Sequence, residues 1–499
     1  MNNDVIISPI KLTIGILVSN RIQYIRKVME GIKPLLDNIP SELIVIDTKG
    51  SAGDGSIEIA KEYTEKIYPF VWCNDFSAAR NTIFEYAKGE WFLALDDDEV
   101  MTDVQDLIDF FAEDECSWFE SGSFVLRNYD AEGKFTVSNV IRLFRRRKNT
   151  KYVGAIHEYI SDTRQPTKAF STVIHHYGYA FKNLEEAQNH QERNVSILNR
   201  ELQERGYTPH LCAQMTQELI YLESSTEKGL EFAKKAIEIL KEKKQLEDPA
   251  SQYILYATVL YYLRKQDIER AKKQIVFLQS SYPLLETTQL VFSGISSELA
   301  LAQRDVREML KNALQYIDWW DWKQQNEEKV VRQQAFCFPQ YYAEEYYHRM
   351  LHIAAAAANE LECFRKAQSI WKRFSWQAEG IETSLYQLDL RDTLEGCKRV
   401  QALQEKYNEI MQWLELLEQA EREIELLKKR GELSLIKEYE TVMKQLLENL
   451  FVILQPLLRE DSEGILLLKE MITDEFRCNV SLLKDLIREE CVEFLNRNR

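Results

Sequence analysis

Four consecutive acids, Asp96, Asp97, Asp98 and Glu99, follow directly on the apolar run WFLAL at 91–95. A buried strand that stops in a cluster of carboxylates is costly unless the acids reach solvent, a partner or a cation. The D-x-D spacing of Asp96 and Asp98 offers hard oxygen ligands for Mg2+ or Mn2+, and such an ion can bridge a diphosphate. The same acids could instead cap a helix near 104–111, because anions are favoured at helix N-termini. The residues alone leave both readings open.

A second group is rich in histidine: His157, His175 and His176 fall within about twenty residues of one another. Neutral imidazole ligates borderline metals and can complete a sphere begun by carboxylates. A lone histidine is more often a satisfied structural residue. Arg142, Arg145, Arg146 and Arg147, in IRLFRRRK, form the one dense basic run nearby. Guanidinium groups suit a phosphate or an acidic acceptor; a solvated strand edge that discourages aggregation explains the run equally well.

The elements that must position these residues are legible up to about residue 180. LTIGILV at 12–18 is a near-continuous apolar run, as expected of a parallel strand covered on both faces. Ile22, Ile25, Met29, Ile32 and Leu36 then share one helical stripe. LIVI at 43–46 gives a second strand ending at Asp47, and the turn TKGSAGDGS leads into a helix at 57–63. A third strand is expected at 67–71, a third helix at 77–87, and a fourth strand at 91–95 that delivers the acids. Such alternation predicts an open, mostly parallel, Rossmann-like α/β sheet, whose ligands bind at the carboxyl ends of the strands. From 118 to 179 the texture becomes β-rich, through SFVLRNYD, FTVSNVIRLFRR, YVGAIHEYI and STVIHHYGYA, and reads as mixed strands extending the sheet over the site.

Beyond about 183, strand signals vanish. Amphipathic helices are expected at 189–206, 208–225, 229–242, 250–264 and 268–281, with a pairing distance close to the ~34-residue period of tetratricopeptide units. The full consensus is missing, so an irregular helical bundle remains open. The region 383–499 is also helical and reads as a coiled hairpin or a homodimerisation element. The expected division is 1–182, 183–382 and 383–499.

Net charge is −17, so phosphate-backbone binding would gain no counterion release, which argues against a nucleic-acid partner. The eight cysteines contain no C-x-x-C pair, arguing against a disulfide framework or zinc cluster and for a reducing compartment. Asp4 precedes any basic residue, and no apolar run approaches the ~18 residues that cross a bilayer. The expectation is a cytoplasmic chain with no membrane partner.

Together, the first strand, the IVIDTKGSAGDGS turn, the NDFSAARN segment and LDDDE stand in the order and approximate spacing of family-2 glycosyltransferases with the GT-A fold. Residues 11–180 resemble that family. The resemblance implies that Asp47 meets the uracil or ribose of a UDP-sugar, with Asp54 nearby. It implies that Arg80 supports the nucleotide or the acidic loop; a structural pair with Asp75 or Glu99 is the alternative. Asp98, helped by Asp96, would hold Mg2+ or Mn2+ on the UDP diphosphate, with Asp97 in the variable middle position of the donor site. Many relatives read D-x-G-S where this chain reads DTKGS, which puts Thr48 and Lys49 outside the pattern. Members often add a late histidine to the metal, and His176 in HHYGY fits that position, beside Tyr177, Gly178 and Tyr179.

Inverting transfer is an in-line displacement at the anomeric carbon and needs a carboxylate on the acceptor side. Glu158 of GAIHEYI is the candidate base; a surface acid beside Tyr159 is the plainer reading. The G-x-I-H-E and H-Y-G-Y motifs and the helical tail resemble a subgroup that includes sublancin-type peptide S-glycosyltransferases and clostridial flagellin glycosyltransferases. That implies transfer of a hexose or N-acetylhexosamine to Ser, Thr or Cys of a peptide or protein, with Arg142, His157 and Tyr177 on the acceptor or phosphate side. Two alternatives stand beside it: a tetratricopeptide-like scaffold whose degenerate transferase domain senses nucleotide, and a transferase acting on a surface glycan.

Overall fold

The computed structural model describes residues 5–162, 164, 166–178, 184–221, 225–333, 339–376, 386–473 and 479–499; Asp4, Tyr179, Cys337 and Cys478 lie outside them. The chain divides into two compact units, one of 1–285 with 331–339 and one of 286–330 with 340–499.

The first unit is built on an eight-stranded sheet. β1 (Leu12–Val18) is buried along its whole length. It lies between β2 (Ser41–Asp47) and β4 (Trp91–Asp96), both parallel to it, and β3 (Ile67–Pro69) adds parallel to β2. α1 (Ile22–Asn38), α2 (Ser56–Ala60) and α3 (Phe76–Tyr86) are the connections. α1 buries Ile25, Val28, Met29, Ile32 and Leu35, so its inward stripe runs through Val28 and Leu35 while Ile22 stays exposed. Gly31 lets α1 close on β5 (Glu99–Thr102): a Cβ there would stand 2.6 Å from the Met101 carbonyl oxygen.

After α4 (Gln105–Ala112) come β6 (Ser121–Tyr129), β7 (Phe135–Arg145), β8 (Tyr152–Val153), β9 (Tyr159–Ile160) and β10 (Thr167–His176). The sheet order is β3-β2-β1-β4-β7-β6-β10-β5. One face packs Leu12, Ile14, Val45 and Leu93 with α1 and α4; the other packs Leu17, Ile44, Ile46 and Phe92 with Ala79 and Ile83 of α3. The fold class is the expected one, a mostly parallel α/β sheet followed by helices.

One expected strand differs. YVGAIHEYI does not extend the main sheet; β8 and β9 pair with each other, and 154–158 turns between them. Gly154 (φ 99) and His157 (φ 51) both take left-handed backbone, which an extended strand cannot contain. β5 was not anticipated, being only four residues long.

The same unit continues into α5 (Leu184–Arg205), α6 (Pro209–Ile220), α7 (Thr226–Glu242), α8 (Pro249–Arg264) and α9 (Ile268–Ser281). Ile197, Leu198, Leu202, Leu211 and Met215 of α5 and α6 form one apolar cluster with Ala155 and Ile156 of the 154–158 turn.

The second unit is all helical among its described residues. It contains α10 (Glu286–Ala302), α11 (Val306–Gln325), α14 (Glu344–Glu360) and α15 (Phe364–Trp371), with the short α12 (Glu327–Gln333) and α13 (Pro339–Tyr342) where the two units divide. α16 (Tyr386–Arg430), α17 (Leu433–Leu454), α18 (Glu463–Thr473) and α19 (Val480–Arg497) follow. The stripe of Leu403, Ile410, Leu414, Leu417 and Ile424 on α16 is spent inside the chain, against α17 to α19. Gly431, at φ 76, makes the α16–α17 corner, a conformation glycine takes at little cost.

Candidate active site

β4 ends one strand away from β2, so their carboxyl ends, Asp96 and Asp47, flank the end of β1 in register with Leu17 and Val18. The acids after β4 do not cap a helix. α4 starts at Gln105, its cap residue Val104 makes no side-chain bond, and β5 intervenes.

Each acid has its own partners. Asp96 Oδ1 accepts from Arg80 Nη2 at 2.7 Å, and its Oδ2 lies 3.9 Å from Arg142. Burial opposes its ionisation, but Arg80 and Arg142 outweigh that and hold it below the usual carboxylate range. Asp97 Oδ2 accepts from the Ser19 amide at 2.6 Å and hydroxyl at 3.0 Å, tying the acid loop to the end of β1. Burial, with Asp98 alongside, pushes its carboxyl up to about 7. Asp98 lies 3.7 Å from His176 Nε2 and 3.4 Å from Arg21 Nε, and burial pushes it up to about 6 against the opposing charge of His176. Glu99, fully buried, pairs with Arg142.

His176 arrives from the last residue of β10, opposite Glu99 in β5 and Asn128 in β6. Asn128 Oδ1 lies 2.7 Å from its Nδ1, which leaves Nε2 toward Asp98. The next turn is crowded against this pair. A Cβ on Gly178 would stand 2.4 Å from His176 Nε2 and 3.3 Å from Asp98 Oδ2. Tyr177 donates its amide to the Asp98 carbonyl at 3.2 Å and stacks its ring between Tyr24 and Tyr129. His175 points elsewhere, to the Tyr129 and Thr102 hydroxyls.

A carboxylate oxygen and an imidazole nitrogen suit Mg2+ or Mn2+, which take part of their shell from water and substrate phosphate. Asp98 and His176 bring one group of each kind to within 3.7 Å of each other. Asp96 is turned toward its arginines, and among the described residues no group of three or more His, Cys, Asp or Glu side chains is arranged around a common ion position.

The basic run is structural. β7 lies between β4 and β6, not at an edge. Arg145 donates to the Cys116 carbonyl, Arg146 to the Gly89 carbonyl and Arg147 to Glu120. Arg142 is the extra residue of a β-bulge, because Leu143 pairs with Gly122 and Ile141 with Ser123. Bulges re-aim side chains, and this one sends Arg142 to Glu99 and Asp96 rather than leaving it free for phosphate.

Arg80 joins the two halves of the site. It is 1% exposed, and its Nε donates to Glu158 Oε1 while Nη2 holds Asp96. It pairs with neither Asp75, which caps α3 through the Ala78 amide, nor Glu99. Glu158 is therefore not a surface acid. His157, next to it, points away from the acids to Glu218 of α6, at 2.9 Å.

Asp47 and Asp54 have local partners. Asp47 Oδ1 accepts from the amides of Lys49 and Gly50. Asp54 accepts from the Ser56 hydroxyl and from the amides of Ile22 and Ser56, fixing the first turns of α1 and α2, and these hydrogen bonds outweigh burial to keep its carboxyl below the usual range. Ser19, Arg21, Asn128 and Glu218 were not foreseen. None of them belongs to a motif that the sequence singles out.

Residues 13–159 match the family described as Glycosyl transferase family 2. The chain is 27% identical over 277 residues to a TPR repeat-containing protein of Synechococcus elongatus, covering 52% of this chain and 64% of that one. It is 25% identical over 287 residues to the SPbeta prophage-derived glycosyltransferase SunS of Bacillus subtilis, covering 54% and 63%. The chain thus spans just under two thirds of the length of these curated relatives. Among solved structures, the mannosyltransferase PcManGT of Pyrobaculum calidifontis, in complex with GDP-Man and Mn2+, is 14% identical and covers 53% of this chain and 91% of that one, with a TM-score of 0.29.

Proposed function

Because residues 13–159 form a family 2 glycosyltransferase domain, we propose that the protein is an inverting, metal-dependent glycosyltransferase of GT-A type. It moves a hexose or N-acetylhexosamine, glucose or GlcNAc, from a UDP-sugar to Ser, Thr or Cys of a peptide or protein. The observation that carries this reading is the double grip of buried Arg80, which brings the acidic end of β4 and the Glu158 turn to one place.

Asp98 and His176 are the residues that would hold Mg2+ or Mn2+. The ion, when bound, supplies Lewis-acid stabilisation of the departing diphosphate. Asp97 keeps the loop that carries Asp98 fastened to β1 through Ser19. Asp47 and Asp54 shape the turn at the nucleoside end. Glu158 takes the proton from the acceptor hydroxyl or thiol as oxygen or sulfur bonds to the anomeric carbon, and the sugar's bond to the UDP oxygen breaks on the opposite side. Arg80 holds Glu158 in place. A polypeptide acceptor is supported by the resemblance to the peptide and flagellin enzymes, and repeat-like helical regions suit extended chains. The domain limits 1–182, 183–382 and 383–499, a homodimer through the C-terminal helices and a cytoplasmic location belong to the same proposal.

The test is UDP release from a panel of UDP-sugars with Mn2+, with and without acceptor peptides. Asp98→Ala is expected to lose UDP binding and turnover together. Glu158→Gln should retain donor affinity and lose transfer by ~10²–10⁴-fold, the range for a general base. No turnover with any donor, combined with unaltered UDP binding in Asp98→Ala, would reject the proposal in favour of a nucleotide-sensing scaffold.

A further inference from the structure

The turn that carries Glu158 is held from two sides. On the sheet side, Ser77 donates to the Gly154 carbonyl, the Phe76 amide donates to the Ala155 carbonyl at 2.8 Å, and Arg80 grips Glu158 itself. On the other side stands the helical layer. Ala155 and Ile156 are buried against Ile197, Leu198 and Leu211. His157 Nε2 lies 2.9 Å from Glu218 Oε1 on α6, and Gln214 of the same helix donates to the His157 carbonyl at 3.4 Å. Glu218 is itself fixed, accepting from Asn194 of α5 at 3.0 Å. Burial works against its ionisation, but the hydrogen bond from His157 and that residue's charge outweigh it. A carboxylate only accepts, so the imidazole N–H is the donor.

His157 also stands at φ 51, a conformation few non-glycine residues take without support from their surroundings. Adjacent residues in such a turn cannot move independently. Without the imidazole on Glu218, the 157–158 peptide keeps only the long bond from Gln214 and the grip of Arg80, and a shift toward extended backbone would turn the Glu158 carboxylate with it.

We infer that Glu218, acting through His157, is a positioning residue for Glu158, so that α6 of the helical region sets the geometry of the base. This rests on Glu158 working at the transferase site, and the two ideas fail separately. A misplacement of about 1 Å can lower a rate by ~10²-fold without touching binding. Glu218→Ala and His157→Asn are therefore expected to lower kcat by ~10–100-fold with donor affinity unchanged. Asn suits left-handed backbone but is too short to reach α6. Glu218→Gln keeps an acceptor oxygen and should restore most of kcat. The Glu218→Ala, His157→Asn double variant should be no slower than either single one.

Hydrogen–deuterium exchange of the 152–160 peptide reads the positioning without any turnover. Faster exchange there in Glu218→Ala, with α5 and α6 still protected, supports the inference. Unchanged exchange, or a kcat and donor affinity that fall in step, overturns it. Faster exchange with no loss of transfer would keep the strut and remove Glu158 from the reaction.

Discussion

Arg80 Nη2 stands 2.7 Å from Asp96 Oδ1, with 2% of the arginine side chain exposed. A forked, permanently charged donor suits this double contact, with Nε on Glu158 and Nη2 on Asp96. Removing one partner of a buried ion pair leaves the other charge uncompensated, which typically costs ~3–5 kcal/mol. Arg80→Met should therefore lower stability by about that amount and abolish turnover. Arg80→Lys, with a single ammonium, should recover part of the stability and little of the rate. Urea unfolding followed by a UDP-release assay checks both. A loss of stability under ~1 kcal/mol in Arg80→Met would mean that the pairs are not maintained in solution.

Gly178 is the second sensitive point, for a steric reason. A methyl group there would meet His176 Nε2 at 2.4 Å, and the ring is already fixed from behind by Asn128. The imidazole must turn away from Asp98 or the chain must lift. Gly178→Ala is expected to weaken Mn2+-dependent UDP binding by ~10–100-fold, the usual effect of disturbing the support of a metal ligand, and to leave the unfolding midpoint nearly unchanged. Titration calorimetry with UDP and Mn2+ measures it. Undiminished Mn2+-dependent binding would exclude His176 as a ligand.

Much of the fold was legible because it is local. An apolar run flanked by helical stripes marks a parallel strand, and LALDDDE announced both β4 and the acids at its end. The partners of those acids were not legible, because register and bulges decide them. Arg142 reads as one of four arginines until the pairing of β6 with β7 singles it out as the residue without a cross-strand partner. β5 was missed because Glu99 looked like the last acid of a loop, whereas its backbone pairs with His176. Glu218 lies 61 residues beyond His157, and nothing in an amphipathic helix distinguishes an acid that faces another layer from one that faces water.

His190 of α5 gives a pH signature of its own. Burial, with Arg193 beside it, pushes its imidazole down to about 4 from an ordinary value of 6.5. Between those values the unfolded chain holds a proton that the folded chain excludes, so stability rises with pH across this window. It is lost as the pH falls from 6.5 toward 4, and the contribution is complete above 6.5. His190→Gln should flatten this dependence by close to one proton, measured as the slope of unfolding free energy from pH 4.5 to 6.5. An unchanged slope would show that His190 titrates normally in the folded state.

In the second unit, Asn498 closes α19 onto α15 from a site that is 1% exposed. Its Nδ2 donates to the carbonyls of Glu362 and Phe494 at 2.8 and 2.9 Å, and its Oδ1 accepts from the Arg365 amide at 3.2 Å. All three backbone groups lose a partner at once in Asn498→Ala. An unsatisfied buried group costs ~1–3 kcal/mol, and the penalties overlap where water can enter. The expected loss is therefore about 2–4 kcal/mol, seen as an earlier unfolding transition for this unit. Asn498→Asp separates hydrogen bonding from shape: it retains the acceptor for Arg365 but places carboxylate oxygen against two carbonyls, so it should be at least as destabilising as alanine. If the aspartate variant were as stable as wild type, the two donated bonds would contribute nothing, and the closure would rest on apolar packing of Phe364 and Phe494 alone.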